Sequence, residues 1–296
     1  LMGKYFFILT VICSLNIFAS TERHESKEAD EDQYGEMCPE EKYGHTAIII
    51  DTTGPLNDAQ YTYMYNLVFD ESVIKNMAPY DRLSILNMTG IDAQASETEY
   101  VFSKCRPRTG EKESKYKLDA STFFGAPKAK LQKQTRNFNL SLKETLEGLR
   151  YEEVDGIKVE KRMGEFTQLI EQLKELSRLP NLMFNDSYQY RKIIIVSDLI
   201  QYSDKLNMYP SCRSKKECIT WDDFKNKKDL KLWIRGIMPK FGDNTPEVKI
   251  IYLNSKHDPK LNIGLLEFWD GYFSDLGIEF EYEFETSDYW LEQIRL

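Results

Sequence analysis

The sequence predicts an α/β domain in which helices cover both faces of a mainly parallel β-sheet. Short apolar runs of strand length alternate along the chain with longer stretches whose apolar residues recur at helical spacing. The most apolar runs, AIII at 47–50 and IIIV at 193–196, contain no polar residue, which is typical of strands buried on both faces. Strands that alternate with helices favour a parallel sheet, because a parallel connection needs a long crossover.

The apolar runs predict six strands, and the helical spacing predicts five helices. The strands are predicted at 45–51, 81–89, 98–105, 191–200, 247–254 and 278–285. The helices are predicted at 57–77, 137–153, 166–179, 221–238 and 264–277. In the last helix the apolar residues recur at spacings of one, three and four, which predicts a core-facing surface made of Phe268, Trp269, Tyr272 and Phe273.

The first 42 residues are predicted to lie outside this domain. Residues 1–19 combine an early lysine with the apolar run YFFILTVICSLNIFA, the pattern of a signal peptide cleaved after Ala19. The alternative interpretation of this run is an uncleaved N-terminal anchor. Residues 20–41 hold nine acids against Arg23 and Lys27, so we expect a disordered acidic leader over 20–42. The folded domain is predicted over 43–296, with a basic insertion at about 106–136.

Export follows from the signal peptide. No later stretch approaches the ~20 apolar residues that span a bilayer, so we expect no membrane span after signal cleavage. The protein is therefore expected to be periplasmic or extracellular. The net charge of −9 argues against a nucleic-acid binder. The three histidines are isolated and no Cys-x-x-Cys pair occurs, so neither a catalytic triad nor a zinc site is expected.

Two aspartates follow the most apolar strands directly. Asp51 ends the first predicted strand in the stretch HTAIIIDTTGPLND, and Asp198 ends the fourth in RKIIIVSDLI. In open α/β sheets, ligands bind at the carboxyl ends of the strands, near the point where strand order reverses. Both carboxylates therefore stand where a functional side chain is expected. Strand-ending aspartates also cap loops, and Asp51 can accept hydrogen bonds from backbone N–H groups at Gly54 or beyond, with Asn57 near the helix N-cap.

A catalytic interpretation of Asp51 comes from one family resemblance. The stretch DTTGPL resembles the phosphorylated loop of haloacid-dehalogenase-like phosphotransferases, in which the aspartate is the nucleophile. The resemblance implies that Thr89 ends the second strand of the site and that Asp198 and Asp204 hold magnesium. These two carboxylates have five residues between them, more than is usual for that pair.

The order of elements resembles a von Willebrand factor A-like domain from residue 45 to the C-terminal SDYWLEQIRL. That resemblance implies a six-stranded Rossmann-type sheet with one antiparallel edge strand. It also implies a metal-ion-dependent adhesion site that holds Mg²⁺, or Mn²⁺ or Ca²⁺, through oxygen ligands. Asp51, Thr53, Thr167 and Asp198 match the family's ligands, whereas Pro55 replaces a serine and has no side-chain oxygen. The D-x-T-x-P-L turn and the F-W-x-x-Y-F helix are similar to those of exported bacterial proteins of unassigned function with a degenerate site.

This resemblance implies a binding or scaffold protein rather than an enzyme, with a protein or an anionic cell-envelope polymer as its partner. The loop after the fourth strand is expected to flank Asp51 and to steer an acidic partner through Arg213, Lys215 and Lys216. A second basic region, 104–136, carries ten Lys or Arg residues against three acids. It is either a solvated surface or a docking patch for an anion, and the acidic leader is one candidate to fold back on it.

The four cysteines of the mature chain, an even number, suit an oxidising compartment and allow three pairings. In the family that the chain resembles, the third strand is an antiparallel edge strand, so its end lies at the bottom of the sheet where the first strand begins. The resemblance therefore implies the pairs Cys38–Cys105 at the bottom and Cys212–Cys218 at the top.

Overall fold

A six-stranded sheet forms the centre of the structure, which is a computed structural model. The model describes residues 38, 43–53, 56–71, 73–88, 99–108, 128–160, 166–178, 184–185, 187–211, 218–253 and 259–284. The strands in these ranges are β1 (Gly44–Asp51), β2 (Arg82–Met88), β3 (Glu99–Cys105), β4 (Tyr151–Val154), β5 (Ile157–Glu160), β6 (Tyr190–Ser197), β7 (Glu247–Tyr252) and β8 (Phe280–Phe284). The helices are α1 (Asp58–Asn66), α2 (Lys128–Arg150), α3 (Leu169–Leu176), α4 (Met208–Ser211), α5 (Trp221–Lys225), α6 (Lys231–Ile237) and α7 (Pro259–Asp275).

The sheet has the order β3-β2-β1-β6-β7-β8, and β4 and β5 form a separate hairpin. All neighbours in the large sheet are parallel except β2 and β3, so β3 is an antiparallel edge strand. The chain moves outward from β1 to β3, crosses back beside β1 as β6, and moves outward to β8. Strand order therefore reverses between β1 and β6. The predicted fold class, including the antiparallel edge and the helices on both faces, is confirmed.

The core lies on both faces of the sheet because side chains alternate along each strand. On one face, Ile49 and Ile195 pack with residues of α3, α5, α6 and α7. On the other face, Ile48 and Ile194 pack with residues of α1 and α2. The predicted core surface of α7 is confirmed, since all four of its aromatic side chains are fully buried: Phe268, Trp269, Tyr272 and Phe273.

The first predicted helix is shorter than the sequence indicates. Asn57 caps α1 as expected, because its side chain accepts from the Gln60 N–H at 2.9 Å and its own N–H donates to the Gln60 side chain at 3.1 Å. The α-helix ends at Asn66, and the next residues, Leu67–Glu71, form a π-helical turn. Helix α2 begins at Lys128, inside the segment that the sequence assigns to the basic insertion.

Two sequence predictions of helix are wrong. The helix predicted over 221–238 is two short helices, because α5 ends at Lys225 and α6 begins at Lys231. The helix predicted over 137–153 stops at Arg150, and the next residues form the hairpin of β4 and β5. Asp155 and Gly156 link these strands with φ of 53° and 77°. Positive φ at both central residues is what a tight type I′ hairpin turn requires.

One disulfide fastens the start of the domain to the edge strand. Cys38 is bonded to Cys105 at the end of β3, with Cα atoms 5.2 Å apart, so the first predicted pair is confirmed. Cys218 is also disulfide-bonded. Its predicted partner, Cys212, lies outside the described residues, as does the terminal stretch 287–296. Among the helices in the described ranges, none is both long and apolar enough to cross a membrane.

Removal of the Cys38–Cys105 bond should destabilise the domain. The bond spans 67 residues, for which the chain-entropy model gives a loss of about 4 kcal/mol in the free energy of unfolding. Denaturant unfolding of C38S/C105S under non-reducing conditions measures this loss. The matched control is C212S/C218S, which should lose roughly half as much because the predicted loop is short. If both variants lose the same free energy of unfolding, Cys38–Cys105 is not the disulfide that closes the longer loop.

Candidate functional site

The candidate site lies at the carboxyl ends of β1 and β6, the two central strands between which the strand order reverses. These strands are parallel, with Ile50 beside Val196. The register therefore brings the next residues, Asp51 and Ser197, level at the same edge of the sheet. Both are buried, Asp51 with 5% of its surface exposed and Ser197 with none. This is the crevice where open α/β sheets bind their ligands.

Asp51 is held by three hydrogen-bond donors. Its Oδ1 accepts from the Thr53 N–H at 3.0 Å and from the Thr53 hydroxyl at 2.5 Å. Its Oδ2 accepts from the Ser197 hydroxyl at 2.7 Å. The backbone donor is Thr53 rather than Gly54, and Gly54 and Pro55 lie outside the described residues. The carboxylate is thereby fixed in one orientation and shares its oxygens with two hydroxyl groups.

A chain of hydroxyls extends from Asp51 to the segment before α3. The Oγ1 atoms of Thr53 and Thr167 are 2.7 Å apart. Because Thr53 has one hydroxyl hydrogen, which it donates to the carboxylate, Thr167 donates to Thr53. Thr167 is buried, and its carbonyl accepts from the Tyr202 N–H at 2.7 Å. The loop after β6 therefore holds Thr167 in place.

Asp198 follows β6 directly, and the core fixes its loop. Its Oδ1 accepts from the Ile200 N–H at 3.1 Å. Between them, Leu199 is buried and has a φ of 62°, a strained conformation for a residue with a side chain. The indole of Trp269 on α7 donates to the Leu199 carbonyl at 2.9 Å. The packing of α7 thus holds the Asp198 loop in its shape.

The two carboxylates perturb each other. Burial and then the negative charge of Asp51 raise the pKa of Asp198 to about 7. Burial also raises the pKa of Asp51, against the lowering effect of its hydrogen bonds from Thr53 and Ser197. The phenol of Tyr209, which is 43% exposed, has its pKa raised by burial and by the charges of Asp198 and Asp51. Within the described residues, no cation forms an ion pair with either aspartate.

The donor set of this site is made of oxygen alone. Two carboxylates and the hydroxyls around them are the ligand types that Mg²⁺ and Ca²⁺ prefer. Two buried carboxylates without a counter-charge repel each other, and a divalent cation would supply that charge. The residues therefore fit a hard cation. Among the described residues, no group of three or more His, Cys, Asp or Glu side chains is clustered for a metal, so hydroxyls would have to complete the coordination.

The residues predicted from sequence have different outcomes in this geometry. Asp51, Thr53 and Thr167 lie in one hydrogen-bonded chain, and Asp198 lies close enough to couple with Asp51. Thr89, Arg213, Lys215 and Lys216 lie outside the described residues. Asp204 is exposed and belongs to the loop after β6.

Two residues that shape the site, Ser197 and Tyr209, were not predicted from the sequence. Ser197 donates to Asp51 and also accepts from the Leu199 N–H at 2.9 Å. The indication of Ser197 in the sequence was its position near the end of the fourth predicted strand, one residue before Asp198. Tyr209 belongs to an aromatic group near the carboxylates, in which the Tyr202 ring lies 5.8 Å from Tyr209 and 5.0 Å from Phe166. The scattered positions of these rings in the sequence gave no comparable signal.

Comparison with known proteins gives neither a family nor a function for this chain. No protein-family model matches the chain, and no curated protein matches it. Among solved structures, the chain is similar to the manganese-loaded TRAP protein of Plasmodium vivax, with 10% identity and a TM-score of 0.29. That match covers 86% of this chain and 71% of the other. At this level of similarity, the fold assignment rests on the strand order and directions described above.

The raised pKa of Asp198 predicts a pH dependence of stability in metal-free protein. The folded state holds this proton up to about pH 7, whereas an unfolded aspartate releases it near pH 4. Folding therefore loses stability as pH rises from about 4 to 7, by roughly 1–3 kcal/mol, and Asp51 adds to the loss in the same direction. Asp198→Asn should remove much of this loss, because the amide does not ionise. Its oxygen can still accept the hydrogen bond from the Ile200 N–H, so the loop should keep its shape.

Urea unfolding in chelator from pH 4 to pH 8 measures the effect. The matched control is Asp204→Asn, an exposed residue of the same loop, which should follow the wild-type profile. If the profile of Asp198→Asn parallels that of the wild type, the two carboxylates do not interact as described.

Proposed function

We propose that the protein is an exported binding protein that engages its partner at the Asp51 site of a von Willebrand A-like domain. The observation that carries this proposal is the oxygen-lined crevice at the reversal of strand order. There a fixed carboxylate, two threonine hydroxyls and a second carboxylate meet. Among the described residues of the site there is no histidine or cysteine nucleophile, and its acidic groups are held by the backbone and the core. Such a site is suited to hold a ligand in a fixed geometry.

The residues that would hold a divalent cation are Asp51, Thr53, Thr167 and Asp198, with Mg²⁺ as the first candidate and Mn²⁺ or Ca²⁺ as others. A bound cation of this kind attracts and coordinates a carboxylate of the partner. Pro55 supplies no ligand where the related motif has a serine. The Ser197 Oγ atom lies 2.7 Å from Asp51 Oδ2 and adds a hydroxyl oxygen to the site. This serine supports the proposal that the site keeps enough oxygen donors despite the proline.

The partner is proposed to be a protein or an anionic polymer of the cell envelope. A partner carboxylate would approach past Tyr209, whose side chain is 43% exposed. Arg213, Lys215 and Lys216 belong to the same loop in sequence and would attract an acidic surface over a longer range. The two disulfide-bonded segments, at Cys38 and Cys218, support export to an oxidising compartment.

The alternative function, phosphoryl transfer through Asp51, fits the geometry less well. A nucleophilic carboxylate needs one oxygen free to attack a phosphorus atom. In this structure, both oxygens of Asp51 accept hydrogen bonds, and the residue is only 5% exposed. The two functions differ in one measurable way. Phosphoryl transfer requires a covalent phosphoryl group on Asp51, which intact-mass measurement after incubation with acetyl phosphate would detect.

Divalent metal should stabilise the protein. After treatment with chelator, addition of Mg²⁺ or Mn²⁺ should raise the free energy of unfolding by about 2.7 kcal/mol when the metal reaches a hundred times its dissociation constant. Asp51→Asn and Thr167→Val should each reduce the rise strongly while nearly conserving volume, because the first removes the negative charge of a ligand and the second removes a hydroxyl ligand. Thermal unfolding with increasing metal measures it. Asp204→Asn is the control that should keep the full rise, and the absence of any rise at millimolar metal would refute the cation site.

The basic loop should accelerate binding of acidic partners. Polyglutamate serves as a defined probe, and its association with R213E/K215E/K216E should be several-fold slower than with the wild type at low salt. The difference should shrink as ionic strength rises, because the Debye length falls to about 3 Å at 1 M salt. Surface biosensor kinetics measure the rates. The control K133E/K228E/K231E changes the net charge equally at exposed positions elsewhere; equal slowing in both variants would show that only net charge matters.

A further inference from the structure

A groove separates α1 and its π-helical turn from the first half of α2. It encloses a cavity of about 600 Å³, within the range of pockets that bind ligands. The groove lies away from the candidate metal site. Arg150 at the end of α2 pairs at 2.6 Å with Asp58 at the start of α1, so the two helices run in opposite directions. The groove residues on the other side, by contrast, lie in the last turn of α1 and in the π-helical turn that follows it.

The walls of this groove combine cations with an apolar floor. Lys128, Arg136 and Lys143 line it from α2. On the opposite side, Tyr65 and Phe69 stack with ring centroids 4.6 Å apart. At the rise of 1.5 Å per helical residue, the three cations extend over about 22 Å. One small anion cannot reach all three, whereas an acidic stretch of polypeptide can.

The positive charges of the groove lack strong partners. In the part of the chain that the structure describes, Lys128 and Arg136 form no ion pair, and Lys143 lies 3.8 Å from Glu147 in an exposed pair. An exposed pair of this kind contributes little. Leu140, which also lines the groove, is 46% exposed. The groove therefore presents charge and apolar surface together.

The disulfide fixes Cys38, one residue of the predicted acidic leader, near this groove. Thr135, a groove residue, has its hydroxyl 3.4 Å from the carbonyl of Arg108. Arg108 is three residues beyond Cys105, and Cys38 is bonded to Cys105 with Cα atoms 5.2 Å apart. Cys38 therefore lies within about 16 Å of Arg108, a distance that five extended residues span. The residues that precede Cys38 in the sequence are therefore long enough as a segment to reach the groove.

We propose that this groove is an acidic-peptide site and that its occupant is the chain's own leader, residues 22–37. This segment carries seven acids against Arg23 and Lys27, and it includes Tyr34 and Met37. The carboxylates neutralise the cations of α2, and the two apolar side chains meet Tyr65 and Phe69. The tether through Cys38 holds the leader at a millimolar effective concentration, so weak contacts suffice. An external polyanion must displace the leader before it can bind there.

Zero-length crosslinking of the exported protein, residues 20–296, tests the contact. A carbodiimide joins carboxylates to amines that form ion pairs, and mass spectrometry of the peptides identifies the sites. We expect leader acids to be joined to Lys128 and Lys143 several times more often than to Lys228 and Lys231, which are exposed near the start of α6. This preference should be lost in 1 M salt. An even distribution, or no crosslink from the leader, overturns the proposal.

A mixture of ¹⁴N- and ¹⁵N-labelled protein separates this contact from one between molecules. If the crosslinks are confined to one isotopic species, they support the proposal. In an equal mixture, a contact between molecules would make about half of the crosslinks mixed in label, which would assign the groove to the leader of a second copy and overturn the proposal.

Competition with a synthetic peptide of residues 22–37 gives an independent test. In the full chain, the leader acids are replaced by their amides through E22Q, E25Q, E28Q, D30N, E31Q, D32N and E36Q. This variant should bind the peptide about ten times more tightly than the wild type, because no tethered competitor remains. Adding K128E/R136E/K143E should abolish binding, while adding the control K133E/K228E/K231E should not. Equal affinity of the two leader forms, or no binding to either, refutes the proposal.

Discussion

The rest of the structure depends on the pairing of β1 with β6. These strands form the middle of the sheet, and the strand order reverses between them. Their register sets Asp51 level with Ser197, so that one hydrogen bond of 2.7 Å joins the two strand ends. A slip of one residue would turn the side chains of β6 to the opposite faces and separate this pair. The apolar residues that fill both faces of β6 therefore also fix the site.

The fold is more predictable from the sequence than its surface elements are. Central strands are recognisable because burial on both faces leaves unbroken apolar runs. The helix predicted over 221–238 is interrupted at NKKD, and the two short helices on either side each bury a side chain, Phe224 and Ile234, in the same core. The hairpin after α2 did carry a signal. Asp155-Gly156 between Val154 and Ile157 is a strong turn pair, but the helical pattern before it obscured that signal.

The candidate site is predictable only where it depends on strand ends. Asp51 and Asp198 follow the two most apolar strands, so position alone singles them out. Thr167 lies 114 residues beyond Thr53 in the chain, and only the family resemblance points to it. Ser197 was missed because the register between β1 and β6, which decides what lies beside Asp51, is a property of the folded sheet. The raised pKa of Asp198 arises in the same way, from burial beside another carboxylate.

The core holds the two carboxylates together. Leu199 keeps a positive φ because its side chain is fully buried and its carbonyl accepts from Trp269. Trp269 is fixed in turn by α7, where Gly264 and Gly271 allow Cys218 and Trp221 to approach the helix closely. Packing energy of the aromatic core thereby offsets the repulsion between Asp51 and Asp198. A cation that enters such a site meets ligands already in place, so its binding energy is not used to order the loop.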